Sequence, residues 1–276
     1  MTRLSGHFIE GTQGPLYVAV REPVDGGAGG VRGCVLVVPP FAEEMNKTRR
    51  MVAELSIRLA ARAIVTVVPD LYGTGDSAGD FGDADWQTWQ RDIGSVAAWA
   101  AARGSPVDRL LAIRLGAALA LDCIASGNLS GTYRHTVFWQ PVFDGARFVT
   151  QFLRLRAAAS LNTDRKETVA ELKSRLVAGE RIEVAGYLIT GILVEDLQGL
   201  NPPNAFPDVL EDVTCIEVQR DGTPSGGVSA SIVERAARAG QAARLQVCAG
   251  EPYWASVETV VNHDVLTETV QALDPR

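Results

Sequence analysis

Arg114 is the residue on which the chemistry of this sequence turns. It follows the apolar run Leu110-Leu111-Ala112-Ile113 and precedes Leu115-Gly116, after which an Ala/Leu-rich helical pattern begins. Strand, sharp turn, helix: that order lifts one side chain clear of a sheet and sets it against the free N–H groups and positive end of a helix. A guanidinium stays protonated at any working pH, so Arg114 is no acyl-transfer nucleophile. Three roles remain open for it. It could form a structural ion pair with Glu43, Glu44 or Asp76 from neighbouring loops, since charges almost never stay buried unpaired. It could bind an anionic carboxylate or phosphate, at roughly 1.5–3 kcal/mol per charged hydrogen bond. Or it could polarise a substrate attacked by a nucleophile elsewhere.

Other residues with reactive side chains are few. Ser77, in Gly75-Asp76-Ser77-Ala78-Gly79, is the substitute nucleophile to consider, but a serine among turn glycines serves first as a cap. The same loop lacks the lysine of a phosphate-cradling loop and the full dinucleotide fingerprint. Of the three histidines, His7 and His135 fall at early or edge positions and read as structural, while His263 stands beside Asp264. Cys34, Cys123, Cys215 and Cys248 share no metal or redox spacing, and three lie inside apolar runs, as buried thiols do. No metal and no cofactor is expected.

The elements that must position these groups alternate. His7–Glu10 and Leu16–Arg21 read as a hairpin around a glycine turn, and Asp25–Gly33 as an exposed loop. Cys34–Val38, Ala63–Pro69, Arg109–Ile113 and Thr136–Trp139 are short, predominantly apolar strands of the kind buried on both faces of a sheet. Between them the spacing predicts helices over about Lys47–Arg62, Trp86–Ala102 and Leu115–Ser126. Trp86, Trp89, Phe138 and Trp139 fall at core spacing. This alternation predicts an α/β chain with a mostly parallel, doubly wound sheet and right-handed crossovers. The rhythm breaks over 146–208, where helices Phe152–Ala159 and Arg165–Val177, the segment Val184–Ile192 and the loop Asn201-Pro202-Pro203-Asn204 form an insertion fit for a lid. It resumes with strand Val213–Val218, helix Gly226–Ala239, strand Arg244–Cys248 and helix Thr267–Leu273. All 276 residues fit one domain. A net charge of −7 with no basic tract argues against nucleic acid. No apolar run is long enough to span a membrane, and Met1–Glu10 is no signal segment. A reducing, cytoplasmic setting follows from the cysteines.

Element order and local motifs together resemble the α/β-hydrolase superfamily. In that family the turn at Arg114 is the nucleophile elbow, G-x-S-x-G, read here as Ala112-Ile113-Arg114-Leu115-Gly116. Four stretches carry a narrower resemblance: Pro39-Pro40-Phe41-Ala42-Glu43-Glu44-Met45-Asn46-Lys47, Asp70-Leu71-Tyr72-Gly73-Thr74-Gly75-Asp76-Ser77, Ile113-Arg114-Leu115-Gly116 and Trp139-Gln140-Pro141-Val142. They are similar to the exosortase A system-associated hydrolases of the second type, found beside exopolysaccharide-linked protein-sorting systems.

That resemblance implies hydrolysis of ester or thioester bonds in an acyl substrate by a serine, an acid after the seventh strand and a histidine after the eighth. Asp221 stands at the acid position. Gly250-Glu251-Pro252-Tyr253-Trp254 holds no histidine, and His263 would serve only if its loop folded back. Phe41 or Ala42 would supply the oxyanion amide, where Glu43-Glu44 suit pairing with Arg114 better. The elbow serine is replaced, so the expectation is an atypical or degenerate hydrolase, with Asp221, His263 and Ser77 as weak catalytic candidates. The alternative is a non-catalytic binding or scaffold protein for an anionic acyl or saccharide-linked ligand, held by Arg114, Leu115, Phe41, Ala42, Glu43 and Gln140. The expected partner is a small anionic or acyl molecule, with a homodimer left open.

Overall fold

A computed structural model describes residues 1–24, 30–161, 166–203 and 206–275. Residues 25–29 of the glycine-rich loop lie outside it, as do Arg165 and Asn204, which the sequence places in a helix and a loop. The sheet has eight strands. Antiparallel β1 (Thr2–Glu10) and β2 (Pro15–Pro23) precede parallel β3 (Gly33–Val38), β4 (Ile64–Pro69), β5 (Arg109–Ile113), β6 (His135–Trp139), β9 (Asp212–Gln219) and β10 (Ala242–Ala249). Their spatial order is β1-β2-β4-β3-β5-β6-β9-β10, so the chain reverses direction of growth at β3–β5. Crevices at the carboxyl ends of strands form at such a reversal.

Helices cover both faces. On one side α1 (Glu43–Ala60) and α8 (His263–Leu273) enclose Val35, Val37, Leu111, Ile113 and Trp139. On the other, α2 (Trp86–Ala102) and α3 (Gly116–Ala125) pack on Leu36, Val38, Leu110, Ala112 and Phe138. Alternate residues of one strand thus feed opposite cores, which is why β3 and β5 contain no polar residue between Cys34 and Val38 or Leu110 and Ile113. At Gly116 a Cβ would stand 2.5 Å from the carbonyl oxygen of Pro39, so α3 can approach the end of β3 only with glycine there.

Between β6 and β9 come α4 (Gly145–Ser160), α5 (Val169–Val177), the hairpin β7 (Ile182–Val184) with β8 (Tyr187–Ile189), and α6 (Gly191–Gln198). The segment expected as one piece over Val184–Ile192 is therefore split. Ala185, at φ 51°, and Gly186, at φ 85°, turn the hairpin, and Thr190 then caps α6 by accepting from the Leu193 amide. The helix expected over Phe152–Ala159 starts about two turns earlier, at Gly145, because Asp144 accepts from the Arg147 amide. Likewise α1 begins at Glu43 and not near Lys47, with two acids in its first turn, where the helix dipole favours negative charge.

Candidate functional site

The elbow geometry is present. Arg114 has φ 55°, a left-handed backbone that a non-glycine residue takes only when its surroundings impose it. Its amide donates to Trp139 O at 2.9 Å and its carbonyl accepts from the Val142 amide at 3.1 Å, so the end of β6 and the segment after it clamp the turn from both sides. Two neighbours share the strain: Ala42 after β3, at φ 52°, and Gln140 after β6, at φ 41°. A left-handed residue thus follows each of three adjacent strands.

The Arg114 side chain is 13% exposed. Nε donates to Glu44 Oε1 at 3.1 Å and Nη1 to the Gln140 carbonyl at 3.1 Å. The guanidinium carbon sits 4.9 Å from the centre of the Trp254 ring, a cation–π stack. Nη2 has no partner among the described residues. Glu44 uses one oxygen only; its Oε2 is buried without a hydrogen bond. Burial pushes the Glu44 carboxyl up against the opposing pull of Arg114 and Lys47. Trp254 is held in turn by edge-to-face contact with Tyr253 at 5.1 Å, which meets Trp139 at 5.8 Å.

Above these groups opens a cleft of about 330 Å³, walled by Phe148, Phe152 and Leu155 of α4, Phe41 and Trp254. Glu43, Glu44, Lys47 and Arg114 provide its charges. Phe41 meets Phe148 and Phe152 edge-on at 5.5 and 5.2 Å, joining the loop after β3 to the insertion. Lys47 pairs with Glu43 at 3.0 Å, so the arrangement can hold an apolar body against aromatic rings and an anion against the open Nη2 edge of Arg114.

Of the six residues expected to bind ligand, Arg114, Phe41 and Glu43 line this cleft. Leu115 and Ala42 lie beneath it, 2% exposed. Gln140 contributes its carbonyl, while its side-chain oxygen accepts from the Val218 amide at 2.8 Å and ties β6 to β9. The three catalytic candidates are elsewhere engaged. Ser77 donates to the Asp70 carbonyl at 2.6 Å and accepts from the Tyr17 amide at 2.8 Å, bracing a loop. Asp221 is exposed and folded onto its own turn, accepting from the amide and hydroxyl of Thr223, which hold its carboxyl below the usual range. His263 opens α8 with Nδ1 2.9 Å from Arg58 Nη2, so its loop does not return it to Arg114. Trp254, in the stretch searched for a histidine, is what reaches Arg114. The residues missed in the sequence are Trp254, Phe148, Phe152 and Leu155. The last three had a signal, an i, i+4, i+7 spacing along α4.

No family model matches the chain, and no curated protein does. Solved structures match it over nearly its full length. The monoglyceride lipase of Saccharomyces cerevisiae is 13% identical at a TM-score of 0.66, covering 98% of this chain and 95% of the other. Est1E of Butyrivibrio proteoclasticus, solved with bound ferulic acid, is 14% identical at 0.63, covering 96% of each chain. A fungal esterase of Rhizomucor miehei is 14% identical at 0.59, covering 99% of this chain and 83% of the other. At these identities the likeness is one of architecture: the chain has the α/β-hydrolase fold.

Proposed function

We propose that this protein is a non-hydrolytic α/β-hydrolase-fold binding protein whose cleft takes an amphiphile with an acyl or aromatic body and an anionic head. The observation that carries the reading is Arg114 in the left-handed elbow position, stacked on Trp254. The residue that would attack and the residue that would relay its proton are both replaced by groups unable to do either. Arg114 Nη2 suits a carboxylate or phosphate, with Lys47, paired with Glu43 at 3.0 Å, beside it, and the rings of Phe41, Phe148 and Phe152 suit the apolar body. The insertion over 146–208 acts as a lid, with α4 as its contact face. The wider setting beside an exosortase, exopolysaccharide-linked protein-sorting system rests on the motif resemblance of the loops after β3, β4, β5 and β6, and the cytoplasmic setting on the scattered, buried cysteines.

The second reading is the hydrolysis of acyl esters or thioesters that the same resemblance implies, favoured by the esterases and lipases among the structural neighbours. One experiment separates the two. Titrating the protein with dodecanoate or dodecyl phosphate should quench tryptophan emission through Trp254, while a fluorophosphonate probe labels no serine. Turnover of a p-nitrophenyl ester, lost on mutation of a labelled serine, would sink the binding reading.

A further inference from the structure

Behind the elbow, on the α1 face of the sheet, lies a second cavity of about 230 Å³ that shares no lining residue with the cleft above Arg114. Its origin is local. Ala19 of β2 pairs with Val68 of β4, so between Tyr17 and Arg21 β2 presents only a methyl group on this face. α1 spans the gap without filling it. Val37, Val68, Ile113 and Val52 make an apolar wall.

Of the polar groups in this wall, one lacks a hydrogen-bond partner and one lacks a counter-ion. Thr66 is fully buried, and its hydroxyl has no hydrogen-bond partner. Arg21 stands directly opposite Thr66 in the β2–β4 register, so both side chains leave the same face of the sheet. Its guanidinium reaches only neutral groups, Ser56 Oγ at 3.0 Å and Thr2 Oγ1 at 3.2 Å. No carboxylate answers it among the described residues. The other polar lining groups are satisfied: Thr48 donates to Met45 O, Ser56 to Ala53 O, and Arg49 pairs with Asp70 at 2.9 Å. A half-buried cation without a counter-ion and an orphan hydroxyl, side by side at one end of an apolar cavity, define an anion with a hydrocarbon tail.

We propose that this cavity is a binding site for a medium-chain monocarboxylate, its head on Arg21 and Thr66 and its tail along Val37, Val68 and Ile113. At about 30 Å³ per small group the volume holds roughly seven or eight of them, the tail of octanoate. Octanoate, with its single charge, also fits the modest positive balance at the mouth, where Arg49 is already neutralised by Asp70.

The test is a calorimetric and methyl-NMR titration of the full chain with sodium octanoate, acetate and octan-1-ol. Octanoate should shift the methyl signals of Val37, Val68 and Ile113, acetate should not bind, and octan-1-ol should bind at least about ten-fold more weakly. Arg21→Gln should weaken octanoate by about ten-fold or more, and Thr66→Val by a few-fold while raising the melting temperature. Should Arg21→Gln fail to fold, Ala19→Leu plugs the cavity and should abolish those shifts. Octanoate that perturbs only the Trp254 indole signal occupies the cleft and overturns this site while leaving the cleft reading intact. Equal binding of octan-1-ol, or affinity unchanged in Arg21→Gln or Ala19→Leu, also overturns it.

Discussion

Arg114 is secured by three unlike contacts: an ion pair, a carbonyl and an aromatic face. Restoring a hydroxyl alone should therefore achieve nothing chemical. Arg114→Ser is expected to hydrolyse p-nitrophenyl butyrate no faster than buffer, because Trp254 can accept no proton; a stopped assay with protein blanks checks it. Removing the cation has a stability cost that depends on pH. Burial raises the Glu44 carboxyl above its unfolded value, so its ionised form burdens the fold as pH climbs through that window. Arg114→Met deletes the compensating charge. Its deficit against the parent should be small near pH 4.5 and grow to about 1–3 kcal/mol by pH 8, read from urea unfolding. The ion pair with Glu44 was legible in the sequence as one of three roles, because a charge in an apolar turn needs a partner. Trp254 was not legible: a search of Gly250–Trp254 for a histidine looks past an aromatic ring, and cation–π contacts leave no spacing signature between residues so far apart.

At the scale of elements, one buried carboxylate clasps two helices of the insertion together. Glu167 takes Arg156 of α4 at 2.6 Å and Arg175 of α5 by a shorter contact, and both hold its carboxyl below the usual range. A lowered value means that this clasp is intact above the unfolded carboxylate range and is lost as pH falls through the folded one. Glu167→Gln should leave two guanidinia without their shared counter-charge and raise amide exchange in α5 several-fold while the β3–β5 core stays protected, as hydrogen–deuterium exchange can read. Strands buried on both faces announced themselves as apolar runs, and β5 and α2 fall on the expected bounds. Helix starts were less legible where a cap decides them. Asp144 and Thr190 look like ordinary loop residues until the chain bends to bring amides onto their oxygens. The hairpin of β7 and β8 has strands of three residues each, too short to show alternation.

Across the whole molecule, the chain end is fastened to the opposite rim of the sheet from the cleft. Arg109 at the start of β5 donates to Leu273 O at 2.7 Å, and Asp274 takes Arg32 at 3.0 Å and Arg62 at 3.4 Å. Asp274 is 3% exposed, so Asp274→Ala should lower stability by about 1–3 kcal/mol, measurable by thermal unfolding. A global pH term comes from Asp92 of α2, fully buried with Oδ1 unbonded and pushed up to about 6 by that burial. Its ionisation weakens the fold as pH rises from about 4 to 6, after which the effect is constant. Asp92→Asn keeps an acceptor for the Tyr72 amide and should flatten that slope, adding up to about 3 kcal/mol at pH 7.

The three left-handed residues under the cleft, Ala42, Arg114 and Gln140, have a consequence for redesign. None is glycine, so each costs about 1–2 kcal/mol that the flanking strands absorb. A turn that keeps this shape around an arginine separates presentation from reactivity. New chemistry could be written at 114 and 254 without rebuilding the backbone that displays them, provided an acid is supplied, because Asp221 is committed to its own turn. The molecule is in that sense a socket, with its contacts already in register for a different plug.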